Sequence, residues 1–160
     1  MGRKYRRDPV YLSRLSDTLS SSDRLTLLNQ IGVGYVKQAK GDSALSYLEQ
    51  ALPLAQQLQE EEALGNILNY LGSAHKVLRD WPKAEQYLQQ SIAHNRAVQG
   101  DSAQVLGYSY FHLAGVSQAQ NQSHKAKEYA GLSHALVKQH QLEELQKEVE
   151  ALLRELEEKP

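Results

Sequence analysis

Apolar residues recur every three or four positions through most of the chain, which is the spacing that buries one stripe of an α-helix. Long runs of β-branched residues are missing, and the good helix formers Leu, Ala, Gln and Glu dominate the composition. Short polar breaks interrupt the apolar pattern at nearly regular intervals. The sequence therefore predicts an all-α protein built from several consecutive helices.

Each break carries residues that end one helix and cap the next. These clusters occupy residues 22–23, 41–43, 60–62, 80–82, 100–102 and 121–123. Negative charge at residues 60–62 suits a helix start because the helix dipole is positive there, and Pro82 is tolerated in a first turn. The clusters predict six helices between residues 23 and 140.

The six predicted helices form three copies of one pattern. Residues 28–52, 68–92 and 110–134 align without gaps, at spacings of 40 and 42 residues. Small residues recur in phase at Gly32, Gly72 and Ala114 in the first helix of each copy, and at Ala44, Ala84 and Ala126 in the second. Because two antiparallel helices approach closely only where side chains are small, these positions are expected to face each other inside three helical hairpins.

The copies resemble the tetratricopeptide repeat, whose pattern is W-x2-L-G-x2-Y, then A-x3-F, then P. The matching positions are Leu28, Ile31, Gly32, Tyr35, Ala44 and Leu48 in the first copy, Leu68, Leu71, Gly72, His75, Ala84 and Leu88 in the second, and Tyr110, Leu113, Ala114, Ser117, Ala126 and Ala130 in the third. The third copy is the most degenerate, and the usual proline is absent from all three. The resemblance implies a right-handed superhelical solenoid, with repeats at about residues 23–60, 61–100 and 101–140.

The period of 40 to 42 residues is longer than the 34 residues of the standard repeat. The additional residues, near 57–64 and 99–106, are expected to lengthen the helices. Long repeats of this kind are similar to those of kinesin light chains, spindle-orientation adaptors and bacterial peptide-pheromone receptors. HEAT repeats have a similar period and rank second, because they lack the paired small residues.

Both ends of the chain add elements outside the repeats. Residues 141–160 are expected to form a helix whose apolar stripe consists of Leu142, Leu145, Val149, Leu152 and Leu156. Such a helix can cap the last hydrophobic face of a solenoid, although its spacing also fits a short dimerising coiled coil. Residues 9–22 predict a short helix, either a cap or part of a further hairpin. The basic residues 1–8 are expected to be disordered rather than a nucleic-acid patch.

Charge and cysteine content narrow the functional classes. The formal net charge is −1, so no overall field attracts nucleic acid or an anionic membrane, and neither is an expected partner. The chain has no cysteine, which excludes disulfides and thiolate metal sites and favours a cytoplasmic location. No apolar stretch is long enough for a transmembrane helix.

The sequence contains no catalytic or cofactor-binding motif. Gly32-Val33-Gly34 lacks the third glycine and the preceding strand of a dinucleotide site, and there is no Walker loop and no H-E-x-x-H. None of the six histidines belongs to a metal-binding motif, and His75 takes a packing position of the repeat. The chain is therefore predicted not to be an enzyme and to bind no cofactor or metal.

In the family that the copies resemble, the first helix of each hairpin lines a concave groove where ligands lie. The resemblance assigns to this groove Thr26, Asn29, Val33 and Lys37 from the first copy, Asn66, Asn69, Tyr70, Ser73 and Lys76 from the second, and Tyr108, Phe111, His112, Gly115 and Gln118 from the third. Asn29 and Asn69 share one repeat position, so their amides are expected to pair with the backbone of an extended peptide. The aromatic residues are expected to form a wall for one or two partner side chains. The groove lacks the Lys and Arg pattern of the carboxylate clamp found in chaperone-binding members.

The resemblance implies a non-catalytic adaptor or scaffold that binds a protein or peptide in the groove. One alternative is a self-associating structural module that forms a homodimer through residues 141–158. Another is a regulatory fragment of a larger bacterial sensor or transcription activator. Groove binding is the preferred prediction.

Overall fold

The computed structural model describes residues 19–98 and 103–158, and every regular element in these residues is an α-helix. The helices are α1 (Ser21–Lys37), α2 (Gly41–Leu58), α3 (Glu61–Val77), α4 (Trp81–Ala97), α5 (Ala103–Ala119), α6 (Ser123–Gln139) and α7 (Glu143–Glu158). The predicted all-α fold is confirmed. The basic residues 1–8, residues 9–18 of the predicted N-terminal helix and the predicted break at residues 100–102 lie outside the described residues.

The helices stack in the order of the sequence. Helix α1 packs with α2, α3 with α4, and α5 with α6, and the second helix of each pair also contacts the helix that follows. The first helices α1, α3 and α5 contact one another in series, and α5 also contacts α7. No comparable contact joins α2, α4 and α6 to one another in the described residues. Closer spacing of the first helices curves the stack, so that they line its concave side.

The small residues that recur in phase lie inside the hairpins. A Cβ atom added at Gly32 would stand 2.6 Å from the side chain of Leu48, and one added at Gly72 would stand 2.6 Å from that of Leu88. The alanines of the pattern are fully buried; they are Ala44, Ala84, Ala114 and Ala126. The two helices of each hairpin therefore approach as closely as the repeat pattern predicts.

Stacked rings join the two helices of the first and second hairpins. Tyr35 stacks on Tyr47 with ring centroids 5.6 Å apart, and His75 stacks on Tyr87 with centroids 5.5 Å apart. His75 is buried, and its Nδ1 atom lies 3.4 Å from the carboxylate of Asp80. The predicted packing role of His75 is confirmed, since its ring replaces the tyrosine of the repeat.

The turn inside each hairpin depends on one residue in the left-handed conformation. Ala39, Arg79 and Asn121 have φ values of 54°, 60° and 59° and occupy the same position in the three hairpins. The N–H of the next residue donates to the carbonyl oxygen five residues earlier, which is the Schellman pattern of a helix end. Gly41 was expected to break the chain, but it is the first residue of α2 and is buried against Leu78. That expectation is wrong because Ala39 already supplies the left-handed turn.

Long helices absorb the additional length of the repeats. Helices α1 to α6 have 17 or 18 residues each, and only Gln59 and Glu60 separate α2 from α3. Residues 57–64 therefore extend both helices, as predicted, and residues 103–106 likewise lie in α5. In the part of the chain that the structure describes, no helix combines the length and the apolarity needed to cross a membrane.

Helix α7 buries its apolar stripe within the chain. Leu145 and Val149 pack with Val137 of α6, while Leu152 and Leu156 pack on small residues of α5 and α6. These small residues are Ala114, Ala126 and Ala130. The side chains that the sequence offers either to a cap or to a coiled coil are thus covered by the third hairpin.

Candidate functional site: the concave groove

The concave groove is the surface formed by the inner faces of α1, α3 and α5, with α7 along one edge. Twelve of the fourteen residues predicted to line it keep part of their surface exposed. They are Thr26, Asn29, Val33, Lys37, Asn66, Tyr70, Lys76, Tyr108, Phe111, His112, Gly115 and Gln118. The other two, Asn69 and Ser73, are buried, with 3% and 4% of their surface exposed. Both belong to α3, which is covered by α1 on one side and by α5 on the other.

Asn69 joins α3 to α5 through a buried hydrogen bond. Its Nδ2 atom donates to Ser109 Oγ at 2.8 Å, and the Ser109 hydroxyl donates to the carbonyl oxygen of Val105 at 2.9 Å. The prediction that Asn69 presents its amide on the groove surface is therefore wrong. The repeat pattern places Asn29 and Asn69 at one helical position, but it does not show that a neighbouring helix covers the second of them.

Two buried serines tie the second helices to the first helices of their own hairpins. Ser91 Oγ donates to the carbonyl oxygen of Gly65 at 3.0 Å, and Ser133 Oγ donates to that of Gly107 at 2.8 Å. Ser91 Oγ also lies 3.1 Å from Ser109 Oγ, so this network reaches Asn69. These hydrogen bonds were not predicted from the sequence. The feature that could have indicated them is that, in two successive copies, the serine follows a glycine by 26 residues.

Asn29 is a groove residue with an unsatisfied polar atom. Its Oδ1 atom is buried and accepts no hydrogen bond from the described residues. Buried polar atoms are normally paired in folded proteins, and an amide oxygen accepts readily from a backbone N–H. Asn29 is therefore the asparagine of the predicted pair that keeps unused hydrogen-bonding capacity.

Four rings on α3 and α5 form an aromatic wall; they belong to Tyr70, Tyr108, Phe111 and His112. The centroid of the His112 ring lies 6.1 Å from that of Tyr108 and 5.5 Å from that of Phe111. Burial raises the pKa of both Tyr70 and Tyr108, so these two phenols stay neutral at pH 7. The wall offers an uncharged surface for an aliphatic or aromatic side chain.

Lys76 lies at the edge of the aromatic wall. Its Nζ atom is 3.4 Å from His112 Nδ1 and 5.6 Å from the centroid of the Phe111 ring. Burial lowers the pKa of Lys76, and the negative charge of Glu148 opposes that change. Burial, together with the Lys76 ammonium, lowers the pKa of His112 to about 3. His112 is therefore neutral at pH 7 and accepts from Lys76 through Nδ1, which places its own proton on Nε2.

A cavity of about 360 Å³ opens where the groove meets α7. Its walls are formed by Lys76, Phe111, Gly115, Gln118, Glu148, Ala151, Leu152 and Glu155. Gly115 lies beside Lys76, and a Cβ atom there would stand 3.4 Å from Lys76 Nζ, an ordinary van der Waals contact. The predicted groove residues did not include Glu148, Ala151 and Glu155 of α7. The apolar stripe of α7 predicts which of its faces is buried, but not that an adjoining face borders the groove.

Comparison with known proteins agrees with this geometry. Residues 23–93 match the family model described as tetratricopeptide repeat. This match covers 71 of the 160 residues and includes most of the first two helical hairpins. Among solved structures, its fold is similar to that of the tetratricopeptide-repeat domain of Arabidopsis FLU, with a TM-score of 0.69 at 18% sequence identity. That match covers 75% of this chain and 99% of the FLU domain. None of the curated proteins compared with the chain matches it.

Stacked helical repeats of this kind form extended concave surfaces. The predicted resemblance to the tetratricopeptide repeat is confirmed over residues 23–93, and the predicted fold is confirmed. The resemblance to particular long-repeat proteins stays a prediction. Among the residues that the structure describes, no three His, Asp or Glu side chains come together as potential metal ligands.

Proposed function

We propose that this tetratricopeptide-repeat chain is a non-catalytic adaptor that binds a segment of another protein in its concave groove. The observation that carries the proposal is the unused polar capacity of the groove surface. Asn66 and Gln118 are partly exposed and form no side-chain hydrogen bond with the described residues. Their amides lie on the successive first helices α3 and α5, which is an arrangement that an elongated segment can follow.

The groove combines two kinds of contact that a peptide requires. Side-chain amides both donate and accept, so Asn66 and Gln118 can satisfy the N–H and C=O groups of a bound backbone. The aromatic wall can bury a partner side chain, and buried side chains supply most of the affinity in protein interfaces. The same surface would serve a free-standing adaptor or a regulatory part of a larger protein.

The absence of cysteine from the sequence permits a direct test. A twelve-residue random peptide library is first selected against the wild-type chain, and the tightest peptide becomes the probe. Asn66→Cys places a single thiol in the groove, and Ala93→Cys places one on the exposed face of α4. Each thiol is then modified with the same bulky, uncharged maleimide.

We expect the label at position 66 to weaken binding of the probe by about tenfold or more, because a groove contact of hot-spot strength is lost. The label at position 93 is expected to change affinity by less than about twofold. Fluorescence anisotropy of the labelled peptide measures both. Equal affinity of the two modified proteins, or loss of binding only at position 93, would refute groove binding.

Self-association through residues 141–158 is the competing function. In the structure the apolar side chains of α7 are buried within the chain. A homodimer built on the same stripe would have to expose Ala114, Ala126 and Ala130 in return. Multi-angle light scattering separates the two functions, because the adaptor proposal needs only a monomer and the structural-module proposal needs a dimer.

A further inference from the structure

The cavity at the edge of the groove has a charge distribution that none of the repeat positions predicted. Glu144, Glu148, Ala151 and Glu155 follow one another at helical spacing, so they form a single stripe along α7. Three of its members line the cavity. Burial raises the pKa of Tyr108, and the negative charges of Glu148 and Glu144 raise it further, so both carboxylates lie near the aromatic wall. The stripe therefore faces the groove.

The carboxylates of this stripe form no ion pair with the residues that the structure describes. In the described residues, no Lys, Arg or His nitrogen lies within ion-pair distance of Glu144, Glu148 or Glu155. All three side chains are exposed at the edge of the groove. Their charge is therefore available to a bound molecule.

Lys76 is the only basic residue among those that line the cavity, and its ammonium group already has contacts within the chain. Its ammonium contacts His112 and the face of the Phe111 ring. It faces the field of Glu148, which leaves the charges of Glu144 and Glu155 uncompensated. His112 adds no positive charge at pH 7. The mouth of the cavity is therefore net negative and lies beside aromatic rings, which also attract cations.

We infer that the partner segment is basic, and that one of its Arg or Lys side chains enters the cavity between α5 and α7. The inference rests on the proposed function and adds the chemistry of the ligand. The aliphatic stem of the entering side chain would lie along Leu152, Ala151 and Gly115, and its charged head would lie between Glu148 and Glu155. Such a side chain matches both the apolar floor and the acidic rim.

The test uses the same selected peptide library. The selected peptides are expected to be enriched in Arg and Lys over the unselected pool. Two labelled copies of the best peptide are then compared, one as selected and one with each Arg and Lys replaced by Gln. The basic copy is expected to bind more tightly, and its affinity is expected to fall as NaCl is raised.

Protein variants assign the effect to the cavity. Glu148→Gln combined with Glu155→Gln is expected to weaken the basic peptide about tenfold, since each exposed charge pair contributes a factor of a few. Glu143→Gln combined with Glu157→Gln, which removes two exposed charges from another face of α7, is the matched control and should leave affinity within about twofold. Lys76→Met keeps an unbranched side chain but removes the opposing charge, so the basic peptide should bind about threefold more tightly.

The outcomes separate this inference from the proposed function. Enrichment of acidic or neutral peptides, or weaker binding by Lys76→Met, overturns the inference that the partner segment is basic. The proposal of groove binding is still supported in that case if the label at position 66 blocks binding. Equal losses for the control variant and the cavity variant likewise overturn the inference of a basic segment. If the label at position 66 does not weaken binding of the probe, groove binding is overturned whatever the charge of the peptide. A library that yields no binder contradicts both the basic ligand and groove binding.

Discussion

At the residue scale, the same amino acid has different roles depending on which neighbouring helix covers it. Asn66 and Asn69 lie three positions apart on α3, yet Asn66 is partly exposed and Asn69 is buried in a bond to Ser109. The repeat pattern locates both on the inner side of the helix. The burial of one of them depends on how closely α5 approaches α3, which a single sequence does not state.

The pair yields a prediction about stability. Asn69→Ala should lower the free energy of unfolding by about 1–3 kcal/mol, because it removes a buried hydrogen bond and leaves Ser109 with one partner fewer. Asn66→Ala should change it by less than about 0.5 kcal/mol, as for most surface substitutions. Urea unfolding followed by circular dichroism measures both values. Equal effects at the two positions would show that Asn69 is not buried in the way described.

His112 makes the free energy of unfolding depend on pH. Its pKa is about 3 in the folded chain and near 6.5 when unfolded. Below pH 6.5 the unfolded chain binds a proton at this ring and the folded chain does not, so stability falls as the pH falls towards 3. The decrease is at most about 1.4 kcal/mol per pH unit, and partial exposure of the ring reduces it.

The variant His112→Gln isolates this contribution, because Gln can still accept a hydrogen bond from Lys76 but does not titrate. Urea unfolding at pH 7, 6, 5 and 4.5 should give a shallower slope for the variant than for the wild type. His75, whose pKa burial also lowers, titrates equally in both proteins and cancels. Identical slopes would mean that His112 takes up its proton without cost to the fold.

At the scale of the elements, the sequence predicted the helices and their pairing better than the turns between them. Gly32 and Gly72 recur in phase because the second helix leaves no room for a Cβ atom, and a steric requirement of that kind leaves a direct trace in the sequence. The turns between the helices are less clearly indicated by the residue types. Ala39, Arg79 and Asn121 share one left-handed conformation but no common residue type, so the residue types do not indicate this turn. The helix break was instead predicted at Gly41, two residues beyond Ala39.

Close packing within a hairpin can be tested by adding one methyl group. Gly72→Ala would bring a Cβ atom to 2.6 Å from Leu88 and 3.1 Å from the backbone oxygen of Ala84, so it should destabilise the chain by about 1–3 kcal/mol. Gly131→Ala lies on α6, where no atom stands within 4 Å of the added group. It should stabilise the chain by about 0.5–1 kcal/mol, the usual gain from replacing glycine inside a helix.

Chemical denaturation of the two glycine variants decides the point, because both changes add the same methyl group to a helix. Opposite signs are expected. If Gly72→Ala stabilised the chain as much as Gly131→Ala does, the first and second helices of that hairpin would not be in the close contact on which the stack depends.

At the scale of the whole molecule, the proposed function depends on the difference between the two sides of the stack. The first helices contact one another and the second helices do not to a comparable extent, so the stack curves and the inner faces of α1, α3 and α5 form a continuous groove. The in-phase small residues predicted the helical hairpins, and the resemblance to the tetratricopeptide repeat implied the curved stack and its groove. The acidic edge of the groove could not be predicted in the same way, because Glu148 and Glu155 belong to a helix outside the repeats.

The most direct measurement of the central claim is where a bound peptide touches the chain. A photo-crosslinking residue is placed in the selected peptide, and mass spectrometry identifies the residues to which it attaches. Attachment to the exposed residues of α1, α3 and α5, or to the Glu148 face of α7, is the result that groove binding predicts. Attachment confined to the exposed faces of α2, α4 and α6 would contradict it.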